Sequence, residues 1–98
     1  MKEIQPQQLA KKQKTDEEVN VIDVREDEEV AQGKIPGAKH IPLGQITDRI
    51  NELDENSYYY VVCRSGGRSG RACEILAAKG FDVTNIAGGM LAWEDETE

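Results

Sequence analysis

The sequence predicts an α/β fold in which strands alternate with helices and a parallel sheet is covered on both sides. Three observations predict it. Three short runs are rich in β-branched and aromatic residues and are bounded by polar residues or glycine. The stretches between them carry helical rather than alternating spacing. Hydrophobic residues make up 38% and charged residues 32% of 98 positions, which suits one globular domain over residues 1–98 with a modest core.

The elements follow in order. Glu3-Ile4 forms a short strand, and Gln7 to Lys14, polar with few apolar positions, forms a surface helix. Val19 to Val24 is the first buried strand. The acidic run Glu26-Asp27-Glu28-Glu29 reads as a solvated helix start, where carboxylates suit the positive end of the helix dipole. Another short strand is expected around His40-Ile41, and Ile46, Ile50 and Leu53 recur at helical spacing. Tyr58 to Cys63 is the second buried strand, with three tyrosines alternating across it. The clearest helix runs from about Arg68 to Lys79 and stops at Gly80. Val83 to Ala87, closed by Gly88-Gly89, is the third strand. Trp93 is a packing anchor, and residues 94–98 are a frayed, solvated acidic tail.

Charge and cysteine usage narrow the function. Twelve Lys and Arg against nineteen Asp and Glu give a net charge of −7, which argues against a nucleic-acid or anionic-membrane binder. No apolar run approaches the roughly 18 residues of a membrane span. The first residues lack the apolar stretch of a secretory signal. Cys63 and Cys73 make no Cys-x-x-Cys pair, and His40 has no evident metal partner, so neither a metal site nor a cofactor is expected. The setting expected is cytoplasmic and reduced, with a free thiol, and the default state is a monomer.

The informative stretch is Cys63-Arg64-Ser65-Gly66-Gly67-Arg68-Ser69-Gly70-Arg71. It begins where a buried strand ends and finishes inside a helix, and ligands bind outside the carboxyl ends of parallel strands. Gly66 and Gly67 let the chain curl until backbone N–H groups point inward. The helix start adds its own unpaired N–H groups. Arg64, Arg68 and Arg71 place three positive charges on an acidic protein. Each feature alone has an ordinary structural reading. Together they describe an anion trap that favours the Cys63 thiolate, the nucleophilic form.

Here the sequence resembles the rhodanese-like sulfurtransferases, specifically the small single-domain bacterial type. Val21-Ile22-Asp23-Val24-Arg25-Glu26 looks like the first family signature, and Gly33 to Pro42 looks like the second. Cys63 to Ser69 matches the active-site loop, with four residues between Cys63 and Arg68. Gly88-Gly89-Met90-Leu91-Ala92-Trp93 resembles the closing signature. The chain has Lys34 where the family usually has histidine, which is expected to add a positive charge at the mouth of the site.

The resemblance implies a three-layer α/β/α fold on five mostly parallel strands in the order 1-5-4-2-3. It implies that Cys63 attacks the sulfane sulfur of a small anionic donor, thiosulfate or a persulfide, and becomes a persulfide. The acceptor would be a thiol, cyanide or a sulfur-carrier protein, with ping-pong kinetics. Substrate binding falls to Arg64, Ser65, Gly66, Gly67, Arg68 and Ser69, through backbone N–H groups, hydroxyls and charge. Asp23 and Arg25 are implied to form a supporting ion pair. Cys73 reads as a small buried residue, and His40 as a packing or hydrogen-bonding group.

Two rivals remain. A cysteine phosphatase or arsenate reductase shares the loop-before-helix design, but a tyrosine-phosphatase signature would put arginine at position 69, where this chain has Ser69. A non-catalytic interaction module on the same fold would not need Cys63 or its arginines.

Overall fold

A computed structural model describes residues 1–15 and 18–98. Five strands, β1 (Glu3–Ile4), β2 (Asn20–Asp23), β3 (Lys39–His40), β4 (Tyr58–Val62) and β5 (Asp82–Ile86), form one sheet. Their order is β1-β5-β4-β2-β3, and every pairing is parallel. The helices are α1 (Pro6–Lys14), α2 (Asp27–Val30) and α3 (Gly67–Ala78).

Side-chain alternation divides the core between the two faces of the sheet. Ile22, Tyr59 and Val61 point to one face, where Ala72, Cys73 and Leu76 of α3 cover them with Ile46 and Leu53. Val21 and Val62 point to the other, where they meet Leu9 of α1, Ile35 and Ile86. Tyr59 meets Phe81 edge-on, while Tyr58 and Tyr60 lie together on the opposite face.

The sequence expectations hold in outline and fail in three places. Helix α1 is more than a surface helix, because Leu9 is fully buried and Pro6 and Ala10 are buried beside it. Burying one leucine stabilises by about 2 kcal/mol, more than an N-cap usually supplies, so tertiary packing holds this polar helix. Ile46, Ile50 and Leu53 do not lie on an α-helix. Ile50 opens the short 3-10 turn Ile50–Glu52, Leu53 caps its end, and Ile46 caps the end of another, Leu43–Gln45. Gly44 and the β-branched Ile46 and Thr47 disfavour continuous helix there, yet the spacing still buries Ile46 and Leu53.

The acidic tail is docked rather than frayed. Trp93 packs against the α1-side core and donates from Nε1 to the Glu96 carbonyl at 2.9 Å. Asp95 pairs with Lys14 at 2.7 Å. Glu98 and Lys34 exchange backbone hydrogen bonds of 3.1 and 2.8 Å. Helix α3 closes as expected at Gly80, with the Gly80 N–H donating to Ala77 and the Phe81 N–H to Leu76. Among the described residues no helix is long and apolar enough to cross a membrane.

Candidate active site

Register places the site at the carboxyl end of the sheet. Asp23 of β2 lies opposite Val62 of β4, so Cys63, the next residue, leaves the sheet at its central strands. The Gly89–Ala92 turn then fixes the start of the loop. The Met90 N–H donates to the Cys63 carbonyl at 2.8 Å and the Leu91 N–H to the Arg64 carbonyl at 3.0 Å.

The loop curls back over its own sulfur. Gly66 sits at φ +113°, a conformation that side chains rarely tolerate. This turns its N–H onto Cys63 Sγ at 3.0 Å. Helix α3 starts at the next residue and brings the buried Ser69 hydroxyl to 3.3 Å from the same sulfur.

Burial pushes the Cys63 thiol up in pKa. The Ser69 hydroxyl and the backbone N–H groups of Ser69, Gly66 and Ser65 outweigh it, and the thiol ends below its ordinary value. The thiolate is thus held mainly by amides and one hydroxyl, as in an oxyanion hole. Ser69→Ala is expected to raise that pKa and slow alkylation of Cys63 near neutral pH several-fold. An unchanged rate–pH profile would assign the effect to the amides alone.

Asn85 supports the loop from behind. It is buried in β5 beside Val61, with its backbone N–H bonded to the Lys2 carbonyl. Its Nδ2 donates to the Gly66 carbonyl at 3.2 Å, and its Oδ1 accepts from the Ser69 hydroxyl at 2.5 Å. Sequence reasoning missed this residue. The available signal was an amide within a buried apolar run, where asparagine is depleted.

The arginines divide. Arg64 is exposed and makes no ion pair among the described residues. It lines a groove beside the loop with Arg25, Glu28, Glu29, Leu91 and Trp93. Arg68 is not a free cation, because its Nη1 and Nη2 meet the two carboxylate oxygens of Glu29 at 2.7 and 2.8 Å. Glu29, expected as part of a solvated helix start, is thereby drawn to the loop. The Arg68 hydrogen bonds hold its carboxyl down at about 2.

Lys34 does not add free charge at the mouth. Its ammonium donates to the Ala38 carbonyl at 3.0 Å and to Glu98 at 2.5 Å.

Asp23 and Arg25 form the ion pair expected of them, with Arg25 Nη2 at 2.7 Å from Asp23 Oδ2 and both side chains nearly inaccessible. Arg25 also donates to the Gly33 carbonyl at 2.9 Å, and its own carbonyl accepts from His40 Nε2 at 2.6 Å. These contacts tie β2, α2 and β3 together beneath the groove.

Cys73 stands apart. It is buried within α3, lines a separate pocket with Met1 and Phe81, and burial pushes its thiol up to about 11. Cys73→Ala should cost about 1 kcal/mol in stability, as small core truncations do. It should leave alkylation of Cys63 unchanged, and a large fall would give Cys73 a part in the chemistry.

Comparison with known proteins agrees with this geometry. The model of the rhodanese-like domain family matches residues 5–96. The Bacillus subtilis protein YtwF is 49% identical over 98 residues, covering all of this chain and 95% of its own length. A sulfurtransferase of Allochromatium vinosum is 37% identical over 92 residues, 93% of this chain and 86% of that protein. A crystal structure of a rhodanese-like domain protein from Staphylococcus aureus superposes with a TM-score of 0.95 at 45% identity, covering 100% of this chain and 97% of the other. Matched along its sequence, and carrying the parallel sheet and the cysteine loop at the end of its central strand, the chain belongs to the rhodanese-like domain family.

Proposed function

We propose that the protein is a sulfurtransferase that carries sulfane sulfur on Cys63. The observation that carries this reading is the Cys63 sulfur at the end of β4, met by the Gly66 N–H at 3.0 Å and the Ser69 hydroxyl at 3.3 Å. Both groups donate toward the sulfur and so favour its anionic form.

In the first half-reaction the Cys63 thiolate attacks the outer sulfur of thiosulfate or of a persulfide. The donor S–S bond breaks, and sulfite or a thiolate leaves with the electron pair. A new S–S bond forms on Cys63, and no external oxidant or reductant is needed. The amides of Ser65, Gly66 and Ser69 can hold the terminal persulfide anion as they hold the thiolate. In the second half-reaction a thiol, cyanide or a sulfur-carrier protein attacks the outer sulfur and restores the Cys63 thiolate. Asp23 and Arg25 keep the ends of β2 and β3 in place and take no part in bond changes. A reduced, cytoplasmic setting would keep Cys63 available.

The test is intact-protein mass after incubation with thiosulfate and, separately, with a small persulfide, each followed by a thiol wash. The expected result is a gain of one sulfur from at least one donor, removed by the thiol. No gain from either donor would overturn the reading.

A further inference from the structure

The Arg68–Glu29 pair bears on which donor the site accepts. Glu29 is preset for it, since its Oε1 also accepts from the Glu26 N–H at 3.0 Å and its carbonyl accepts from Arg25 Nη1 at 3.3 Å. Arg68 stands in the first turn of α3, beside the loop that curls over Cys63 and one residue before Ser69, whose hydroxyl lies 3.3 Å from the sulfur. Both prongs of its guanidinium are nonetheless spent on Glu29. Arg25, a buried guanidinium that lines the groove, is spent on Asp23. Of the cations lining the groove, Arg64 alone is unpaired among the described residues, and the exposed Glu28 stands in the same groove.

Formal charge then decides between donors. Thiosulfate is a dianion and a simple persulfide a monoanion. At equal separation both the repulsion from the Cys63 thiolate and the attraction to a cation are twice as large for the dianion, so a site in which Arg68 is tied up loses twice as much attraction for thiosulfate as for a persulfide.

We propose that Glu29 is a specificity-determining residue: by holding Arg68 in a two-pronged ion pair it fits the site to singly charged persulfide donors and against thiosulfate. This rests on the sulfur-transfer reading above. Glu29 touches neither donor nor sulfur and acts through Arg68. It stays ionised across the neutral range, so the selection does not relax with modest changes of pH.

The experiment measures the rate at which Cys63 gains sulfur, by intact mass, from thiosulfate and from the persulfide of N-acetylcysteine amide. The variants are E29Q, E28Q, R68A and R68A/E29Q. E29Q keeps an acceptor for the Glu26 N–H while releasing Arg68, and circular dichroism checks that each variant is folded. The wild type is expected to favour the persulfide. E29Q should raise the thiosulfate rate about tenfold, the scale of one released charge pair, and the persulfide rate by less. E28Q removes the same charge without touching Arg68 and should shift the donor ratio much less. In the R68A background E29Q should no longer shift it. A wild-type preference for thiosulfate, an equal response to E28Q and E29Q, or an E29Q effect that survives R68A would each overturn the proposal. Should the wild type take sulfur from neither donor, the sulfur-transfer reading itself falls, an outcome distinct from failure of the Glu29 role.

Discussion

Replacing Cys63 with serine or alanine is expected to abolish sulfur uptake from every donor while the chain stays folded. The loss should be complete because the reaction is covalent and no second thiol can substitute. Cys73 is buried, lines a different pocket, and has its thiol pushed up to about 11. A serine hydroxyl is almost entirely protonated at neutral pH and forms no persulfide. The two variants should differ in stability. Serine leaves an acceptor for the Gly66 N–H, whereas alanine leaves that donor and the Ser69 hydroxyl without the sulfur they meet. Losing such a partner typically costs about 1–3 kcal/mol, so alanine should melt lower than serine. Intact mass and thermal denaturation read both effects, and retained sulfur on either variant would refute Cys63 as the carrier.

Gly89→Ala is expected to be the most damaging single-methyl change in the protein. A Cβ at position 89 would lie 2.4 Å from the Cys63 carbonyl oxygen and 2.6 Å from that of Arg64. Those carbonyls accept from Met90 and Leu91, so the clash cannot be relieved without releasing the bonds that start the loop. Residue 89 also sits at φ +56°, which costs an L-residue roughly 1–2 kcal/mol before any contact is counted. The combined loss should reach about 4 kcal/mol or more, the range reserved for overpacking and backbone strain. For a chain of this size that is a fall in Tm of roughly 15–30 °C. The folded fraction that remains should also alkylate more slowly at Cys63, because the loop start has moved. A Tm within a few degrees of wild type would show that the Gly89–Ala92 turn does not brace the loop.

Sequence reasoning reached the parts of this protein that are written locally. The strand-loop-helix run from Tyr58 to Lys79 carries its own punctuation, so the cysteine, the inward curl at Gly66 and the following helix could be placed from that stretch alone, whereas Gly67, expected to share the curl, opens the helix instead. The three buried strands were legible for the same reason. What escaped were pairings across long separations. Glu29 and Arg68 are 39 positions apart, and an acidic run beside a helix start gives no hint that one of its carboxylates will reach the loop. Gly89 reads as part of a turn, and only the fold shows it pressed against the Cys63 and Arg64 carbonyls. Ile46, Ile50 and Leu53 show the limit of periodicity, since 3-10 turns bury nearly the same positions as an α-helix would. Docking of the tail depends on Trp93 and on charge partners at Lys14 and Lys34, far away in sequence.

The sulfur cradle is built mostly from peptide groups, and this bears on how such a protein can change. Every residue except proline carries an N–H, so the amides at Ser65, Gly66 and Ser69 would grip a charged sulfur whatever side chains surrounded them. Only Gly66, for its backbone angle, and Ser69, for its hydroxyl, are tied to identity in that task. Arg64, Ser65 and Gly67 are exposed and free of it. Bond-making and partner choice are therefore written in separate alphabets, one in the main chain and one in the side chains at the rim. A library randomised at positions 64, 65 and 67 should yield proteins that differ widely in the donors and acceptors they accept and little in the reactivity of Cys63.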